Sequence, residues 1–246
     1  EIEAGTNGYR LVPRGPGDLQ TPGVTIAELA LLPPNTSVTI DQAVILSTTN
    51  LESDPLYRSF QLRDATRAIT VFGPTAQVDP VLAARGVGDE IQISGFTARR
   101  GGTLILAGGI GGFAVSGRTA THPFPIAPVS ALVLDLTGAA AETLESQLVC
   151  LREVRFAGTG MFTLGGDYAL VGGAAMVRIA TADFELTGMS IPTGQVTITG
   201  IILQYDNAGT ETNGYRLIPR APGDIVPAQT SDAPYLSVAN LGSHVL

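Results

Sequence analysis

The sequence predicts an all-β protein: two tandem five-stranded Greek-key barrels, with an extra N-terminal strand and an extended C-terminal tail. Three observations predict it. Short runs rich in Val, Ile and Thr are separated by turn residues, and the 30 Gly and 16 Pro are spread along the whole chain. The strand plan that runs up to Ala107 starts again after a proline-rich stretch. Finally, Thr6-Asn-Gly-Tyr-Arg-Leu-Val-Pro-Arg-Gly-Pro-Gly-Asp-Leu19 returns almost unchanged as Thr212-Asn-Gly-Tyr-Arg-Leu-Ile-Pro-Arg-Ala-Pro-Gly-Asp-Ile225. A copied segment usually carries a copied structural role. In each copy Asn-Gly reads as a tight turn, the Tyr-Arg-Leu run as a short strand, and Pro-Arg-x-Pro-Gly as its stop.

Residues 1–20 hold the first copy, the extra strand. In the first barrel, 21–118, residues 24–30 read as a short helical turn and 33–36 as a loop. Residues 37–47 alternate apolar and polar, a strand with a bulge near Asp41-Gln42. The second and third strands, 60–64 and 68–72, flank an Asp-Ala-Thr-Arg turn, and 78–86 reads as a helical turn. A fourth strand, 89–98, turns at Arg99-Arg-Gly-Gly into a fifth, 103–107. Five strands with a helical turn between the third and fourth describe a barrel of the OB type. Residues 119–128 are a proline-rich linker, a semi-extended spacer. The second barrel, 129–228, opens with a short helix or turn at 139–145. Strands follow at 147–156, 161–164, 169–171, 176–180 and 195–205, and the Tyr215 strand closes it. Residues 229–246 form the tail.

Phe60-Gln-Leu-Arg-Asp-Ala-Thr-Arg-Ala-Ile-Thr-Val-Phe72 and Gly88-Asp-Glu-Ile-Gln-Ile-Ser-Gly95 resemble strands of the tandem OB-fold modules of bacterial secreted nucleases and cell-surface proteins. Residues 144–156 are similar to the first strand of the second module in that family, and Tyr215-x-Leu-x-Pro-Arg-x-x-x-Asp-Ile225 to its closing strand. The resemblance covers about residues 20–228 and implies an OB fold in an extracellular or cell-surface setting, without catalysis, because the nuclease domain is a separate module. The extra N-terminal strand and the tail depart from the family's pattern.

Composition narrows the chemistry. All 14 basic residues are Arg, so Schiff-base chemistry through Lys is excluded. A net charge of −8 repels polyanions. No run of about 18 apolar residues is present to span a membrane. No basic-then-apolar leader is present, so an exported chain would already have lost its signal peptide. Cys150 stands alone between Val149 and Leu151 and reads as a buried small hydrophobe. His122 in the linker and His244 near the C-terminus supply neither a hydrolytic triad nor a zinc set, and no catalytic residue and no cofactor are expected. Asp206-Asn-Ala-Gly-Thr-Glu-Thr-Asn213 reads as a hairpin turn; its oxygen-bearing Asp206, Asn207 and Glu211 are the one candidate cation set. Asp64, Asp167 and Asp183 read as turn residues that bond nearby amides.

The functional expectation is a secreted, non-catalytic structural subunit that assembles head-to-tail with copies of itself by β-strand addition. The Tyr9 copy duplicates a closing strand, yet it precedes a barrel with five strands of its own, and an unpaired strand is a template for another chain. The subunit contact is assigned to Tyr9, Arg10, Leu11, Val12, Arg14, Tyr235, Leu236, Val238 and Leu241. The alternative is an extracellular accessory module binding single-stranded nucleic acid or carbohydrate through Arg58, Arg63 and Arg67. No Trp, 6% aromatic residues and the acidic balance set nucleic acid aside as an expected partner.

Overall fold

The first strand, β1 (Ser37–Ser47), breaks register between Ile40 and Ala43, where Gln42 adopts a φ of +54°. The bulge lets one long strand serve two partners: its first part pairs with β4 (Glu90–Arg100) and its end with β2 (Tyr57–Arg63). In this computed structural model, residues 23–52, 54–83, 85–116, 126–180, 185–205 and 213–228 are described. A hairpin joins β2 to β3 (Ala68–Pro74), which runs parallel to β5 (Thr103–Ala107), and β5 pairs with β4. The order β1-β2-β3-β5-β4 returns to β1, which closes a five-stranded barrel. Strand alternation puts Phe60, Leu62, Ile69, Val71, Ile91, Ile93, Leu104 and Leu106 into one core.

Two helices stop the barrel ends. Helix α1 (Ile26–Leu29) is capped by Thr25 and Glu28 in reciprocal hydrogen bonds, and Asp64 accepts from the Ile26 amide at 2.7 Å. Helix α2 (Thr75–Leu82) links β3 to β4 and buries Val78 and Val81. It begins three residues earlier than the sequence suggests, and the stretch after β5 adds a short strand, β6 (Ala114–Ser116), to β4.

The second unit contains β7 (Val129–Ala131), α3 (Gly138–Leu144), β8 (Leu148–Val154), β9 (Asp167–Ala169), β10 (Met176–Arg178), β11 (Val196–Gln204), β12 (Tyr215–Ile218) and β13 (Ile225–Pro227). Its sheet runs β7-β8-β11-β12-β10-β9, with β13 also on β11. From β8 onward the order repeats that of the first unit, and β12 is parallel to β10 as β5 is to β3. Even the glycines correspond. In Ile91-Gln-Ile-Ser-Gly95 and Val196-Thr-Ile-Thr-Gly200, a Cβ on the glycine would lie 2.7 Å from the Ala107 carbonyl oxygen or 2.5 Å from that of Ile218.

The second unit departs from the expected barrel at its closure. The first unit has a ladder between its first two strands, whereas here the end of β8 meets β9 through one bridge, Phe156 to Leu170. Two hydrogen bonds flank it, Ala157 N–H to the Ala169 carbonyl and Val171 N–H to the Arg155 carbonyl, both 2.9 Å. The expected strand at 161–164 supplies only a bridge from Met161 to Ser190. Gly160 and Gly165 take positive φ there and break the extended backbone, while Phe162 turns inward to meet Phe156 and Tyr168 edge-to-face. The architecture is thus one closed barrel plus a second sheet. Among the described residues no helix is long and apolar enough to cross a membrane.

The C-terminal copy of the repeat forms β12. Tyr215, Leu217 and Ile218 are buried, and β12 has neighbours on both sides, β10 and β11. Arg220 clamps Asp224 through two hydrogen bonds of 2.9 Å, which fixes the turn into β13. This copy therefore has no spare edge to offer another subunit. Tyr9, Arg10, Leu11, Val12, Arg14, Tyr235, Leu236, Val238 and Leu241 lie outside the described residues.

Candidate functional site

The alternation that sends Phe60 and Leu62 inward turns Tyr57, Ser59, Gln61 and Arg63 outward on β2, and Ala68, Thr70 and Phe72 outward on β3. Cross-strand register sets Ser59 opposite Phe72 and Gln61 opposite Thr70. The middle of this outer row, Ser59, Gln61 and Thr70, is nevertheless buried, and the second unit reaches it at Thr70. The Thr70 and Ser146 hydroxyls meet across the seam at 2.8 Å. Thr103 Oγ1 accepts from the Gln204 amide at 3.0 Å and donates to the Gln204 carbonyl at 3.2 Å. Leu51, from the loop after β1, packs in one cluster with Leu148, Ile201, Leu203 and Ile218.

Charge concentrates at one point of the seam. Arg67, in the β2–β3 turn, reaches the Glu142 carboxylate at 3.0 Å, also bonds the Glu142 carbonyl, and stands 3.6 Å from Glu145. Tyr215 donates its hydroxyl to Glu142 at 2.6 Å. Burial raises the Glu142 carboxyl, but the hydrogen bonds from Tyr215 and Arg67 outweigh it and leave the group below its ordinary value. Glu145 is placed differently. Burial and repulsion from Glu142 push it up to about 7, against the attraction of Arg67 and the Leu104 N–H.

At the Tyr57 end the row emerges from under the second unit into a cleft of about 260 Å³. Glu52, Thr70, Phe72, Arg100, Gln204 and Tyr205 line it. The Tyr57 ring stacks on Phe72 at 5.3 Å and 9°, and the Arg100 guanidinium stands 4.3 Å from the Phe72 centroid. The β4–β5 turn, with Gly101 and Gly102 both at positive φ, brings Arg100 back over the sheet, where it also pairs with Glu52 at 2.7 Å. Across the cleft Arg178 stands 4.6 Å from the Tyr205 ring. Burial raises the Tyr205 hydroxyl, opposed by Arg178. Gln204 donates Nε2 to the Asn213 carbonyl at 2.9 Å, which leaves Oε1 without a protein partner. Tyr57 is 37% exposed and the Arg100 side chain 51%, so the column faces solvent.

The three arginines named from sequence do not gather. Arg58 pairs with Asp79 of α2 at 2.7 Å, and Arg67 is held in the seam. Arg63 lies at the opposite end of β2, in a cleft it shares with Asp64, Thr66, Val129 and Gln147. Tyr57, Phe72, Arg100 and Tyr205 escaped the sequence reading. Their signal was the outward parity of 57 on β2 and 72 on β3, followed by an Arg at a Gly-Gly turn.

Asp64 takes its expected turn role, accepting from the Thr66 and Arg67 amides. Asp167 instead pairs with both Arg178 and Arg216, and Asp183 lies outside the described residues. So do His122, His244, Asp206, Asn207 and Glu211. Among the described residues no group of three or more His, Cys, Asp or Glu could hold a metal ion. Cys150 is buried and free.

No protein-family model matches the chain, and no curated protein does. Solved structures similar to it include a murine DNA-binding protein bound to double-stranded DNA, at 10% identity and a TM-score of 0.38, covering 78% of this chain and 100% of that one. The p202 HIN1 domain with a 12-mer double-stranded DNA has 10% identity and a TM-score of 0.33, covering 81% and 92%. A replication protein A heterotrimer bound to single-stranded DNA has 13% identity and a TM-score of 0.31, covering 80% and 57%. The closed five-stranded barrel, with its β1-β2-β3-β5-β4 order and a helix between the third and fourth strands, has the OB-type topology.

Two expectations are corrected here. The head-to-tail filament is not retained: the C-terminal repeat strand already has both neighbours within its own sheet, β10 on one side and β11 on the other. Nor is nucleic acid set aside as a partner. The scarcity of aromatic residues in the composition concealed the fact that Tyr57, Phe72 and Tyr205 stand around one Arg-capped cleft.

Proposed function

We propose that the chain is a non-catalytic binding module that takes single-stranded nucleic acid at the cleft between its two units. The carrying observation is the column of Tyr57, Phe72 and Arg100 at the cleft mouth. An aromatic pair that reaches solvent through Tyr57 gives a base a flat apolar surface, and a guanidinium beside it serves both the π face and a phosphate. The repeated strand order and the matched glycines support reading the second unit as an OB-type barrel of reduced closure, which walls the cleft rather than standing apart from it.

The test is fluorescence anisotropy of a labelled ten-nucleotide dT strand at low salt, with an oligosaccharide of similar length as competitor. Binding should weaken by roughly 5- to 100-fold in Phe72→Ala, the range expected for losing one base-stacking contact. Arg100→Ala should weaken it as well, with circular dichroism unchanged in both variants. Displacement by the oligosaccharide, or equal binding by wild type and Phe72→Ala, rejects the reading.

A further inference from the structure

We propose that the seam between the two units is a releasable latch over the outer face of β2 and β3, held shut by Arg67 on Glu142 and loosened by the charge of Glu145 beside them, and that its release extends the nucleic-acid site. The ligand named here rests on the function proposed above; the mechanics of the latch do not.

The ground beneath the seam is polar and poorly satisfied. Ser59 Oγ, both side-chain amide atoms of Gln61, Gln204 Oε1 and Glu145 Oε1 are buried with no protein partner. Each has been taken out of water without a compensating bond, which works against the closed arrangement. In the cluster that crosses the seam, Leu51 is the one buried residue of the first unit, while each unit keeps a large core of its own. Parting the seam therefore leaves both cores intact.

The clasp itself is unbalanced. One guanidinium, Arg67, serves two carboxylates, and Glu145 is almost wholly buried beside Glu142. The groups facing Glu145 are Glu142, Arg67, the Leu104 N–H and Arg99, and the Tyr215 hydroxyl commits its proton to Glu142. Deprotonation of Glu145 adds repulsion inside the seam and so favours release. Release would bare Ser59, Gln61 and Thr70 beside Phe72. A one-base pocket then becomes a groove along β2 and β3, about 13 Å longer at about 3.3 Å per residue.

The experiment uses the full chain with Thr70→Cys, since Thr70 touches the second unit directly. A thiol reagent is applied under native conditions and each site is followed by mass spectrometry. The buried native Cys150 reports unfolding in the same molecule. The introduced thiol should react at least about tenfold faster than Cys150. Adding Arg67→Ala should raise its rate about tenfold again without moving Cys150, and Glu145→Gln should slow it at pH 8. Equal rates at the two thiols overturn the latch, because the seam then opens only when the chain unfolds. Arg67→Ala should also bind the ten-nucleotide dT strand at least threefold more tightly than wild type. Unchanged affinity overturns control of the site. If no protein binds the strand, the nucleic-acid reading falls, and the two thiol rates still decide the latch.

Discussion

Gly200 shows how much one residue can fix. It sits in the middle of β11, and a Cβ there would come within 2.5 Å of the Ile218 carbonyl oxygen and 3.0 Å of the Pro219 nitrogen. Those are backbone atoms of the closing strand and cannot move aside alone. Gly200→Ala should therefore cost about 1–3 kcal/mol, read as a lower urea midpoint. Gly194→Ala is the control: nothing lies within 4 Å of the added carbon, and its cost should stay within about 0.5 kcal/mol. Equal effects of the two would show that β12 does not approach β11 as closely as described. Gly95→Ala, against the Ala107 carbonyl at 2.7 Å, should behave like Gly200→Ala if the two units share one plan.

Where the β2–β3 turn meets the α3–β8 turn, stability becomes a function of pH. Glu145 rises from its ordinary 4.5 to about 7 through burial and the repulsion of Glu142. A carboxyl whose folded value is raised binds its proton more tightly folded than unfolded, so it stabilises the fold at low pH, and that contribution is lost as pH rises through about 7. Between about pH 5 and 7 the urea midpoint should fall as pH increases, and Glu145→Gln should flatten this dependence. A midpoint that rises with pH in the wild type across that window, and is unaffected by Glu145→Gln, would show that Glu145 titrates as an ordinary surface carboxylate. Asp64 and Glu142, both held below their ordinary values, act in the opposite sense at lower pH. Burial pushes Asp64 up, but hydrogen bonds from Thr66, Ile26 and Arg67 outweigh it.

For the molecule as a whole, the net charge of −8 and the few arginines at the cleft set the electrostatic character of binding. A single-stranded ligand held by one or two phosphate contacts should show a slope of log affinity against log salt between about −0.7 and −1.4, since each contact contributes about −0.7. Anisotropy titrations from low to physiological salt measure it directly. A slope steeper than about −3 would mean that a more basic surface than the Arg100 cleft carries the strand. Stacking, not charge, is the term expected to dominate, which is why Phe72→Ala rather than a charge reversal is the decisive variant.

The chain's own letters determined its strands wherever local chemistry suffices. Period-two alternation with a polar break placed β1 and its bulge at Asp41-Gln42, and Arg-Arg-Gly-Gly placed the β4–β5 turn, because both signals act within a few residues. The repeated Tyr-Arg-Leu segment was legible as a strand for the same reason. Its neighbours were not, since pairing with both β10 and β11 depends on residues far away in sequence, and the apparent surplus of strand edge came from counting strands without placing them. The loss of strand character at 161–164 was equally hidden, because Phe162 leaves the strand pattern to fill a core built by Phe156 and Tyr168. Only the tertiary structure decided the site. Composition counts aromatics and charges but not their separation, whereas packing the second unit on the barrel engages Thr70, spends Arg67 on two carboxylates, and leaves Tyr57, Phe72 and Arg100 together at the open end.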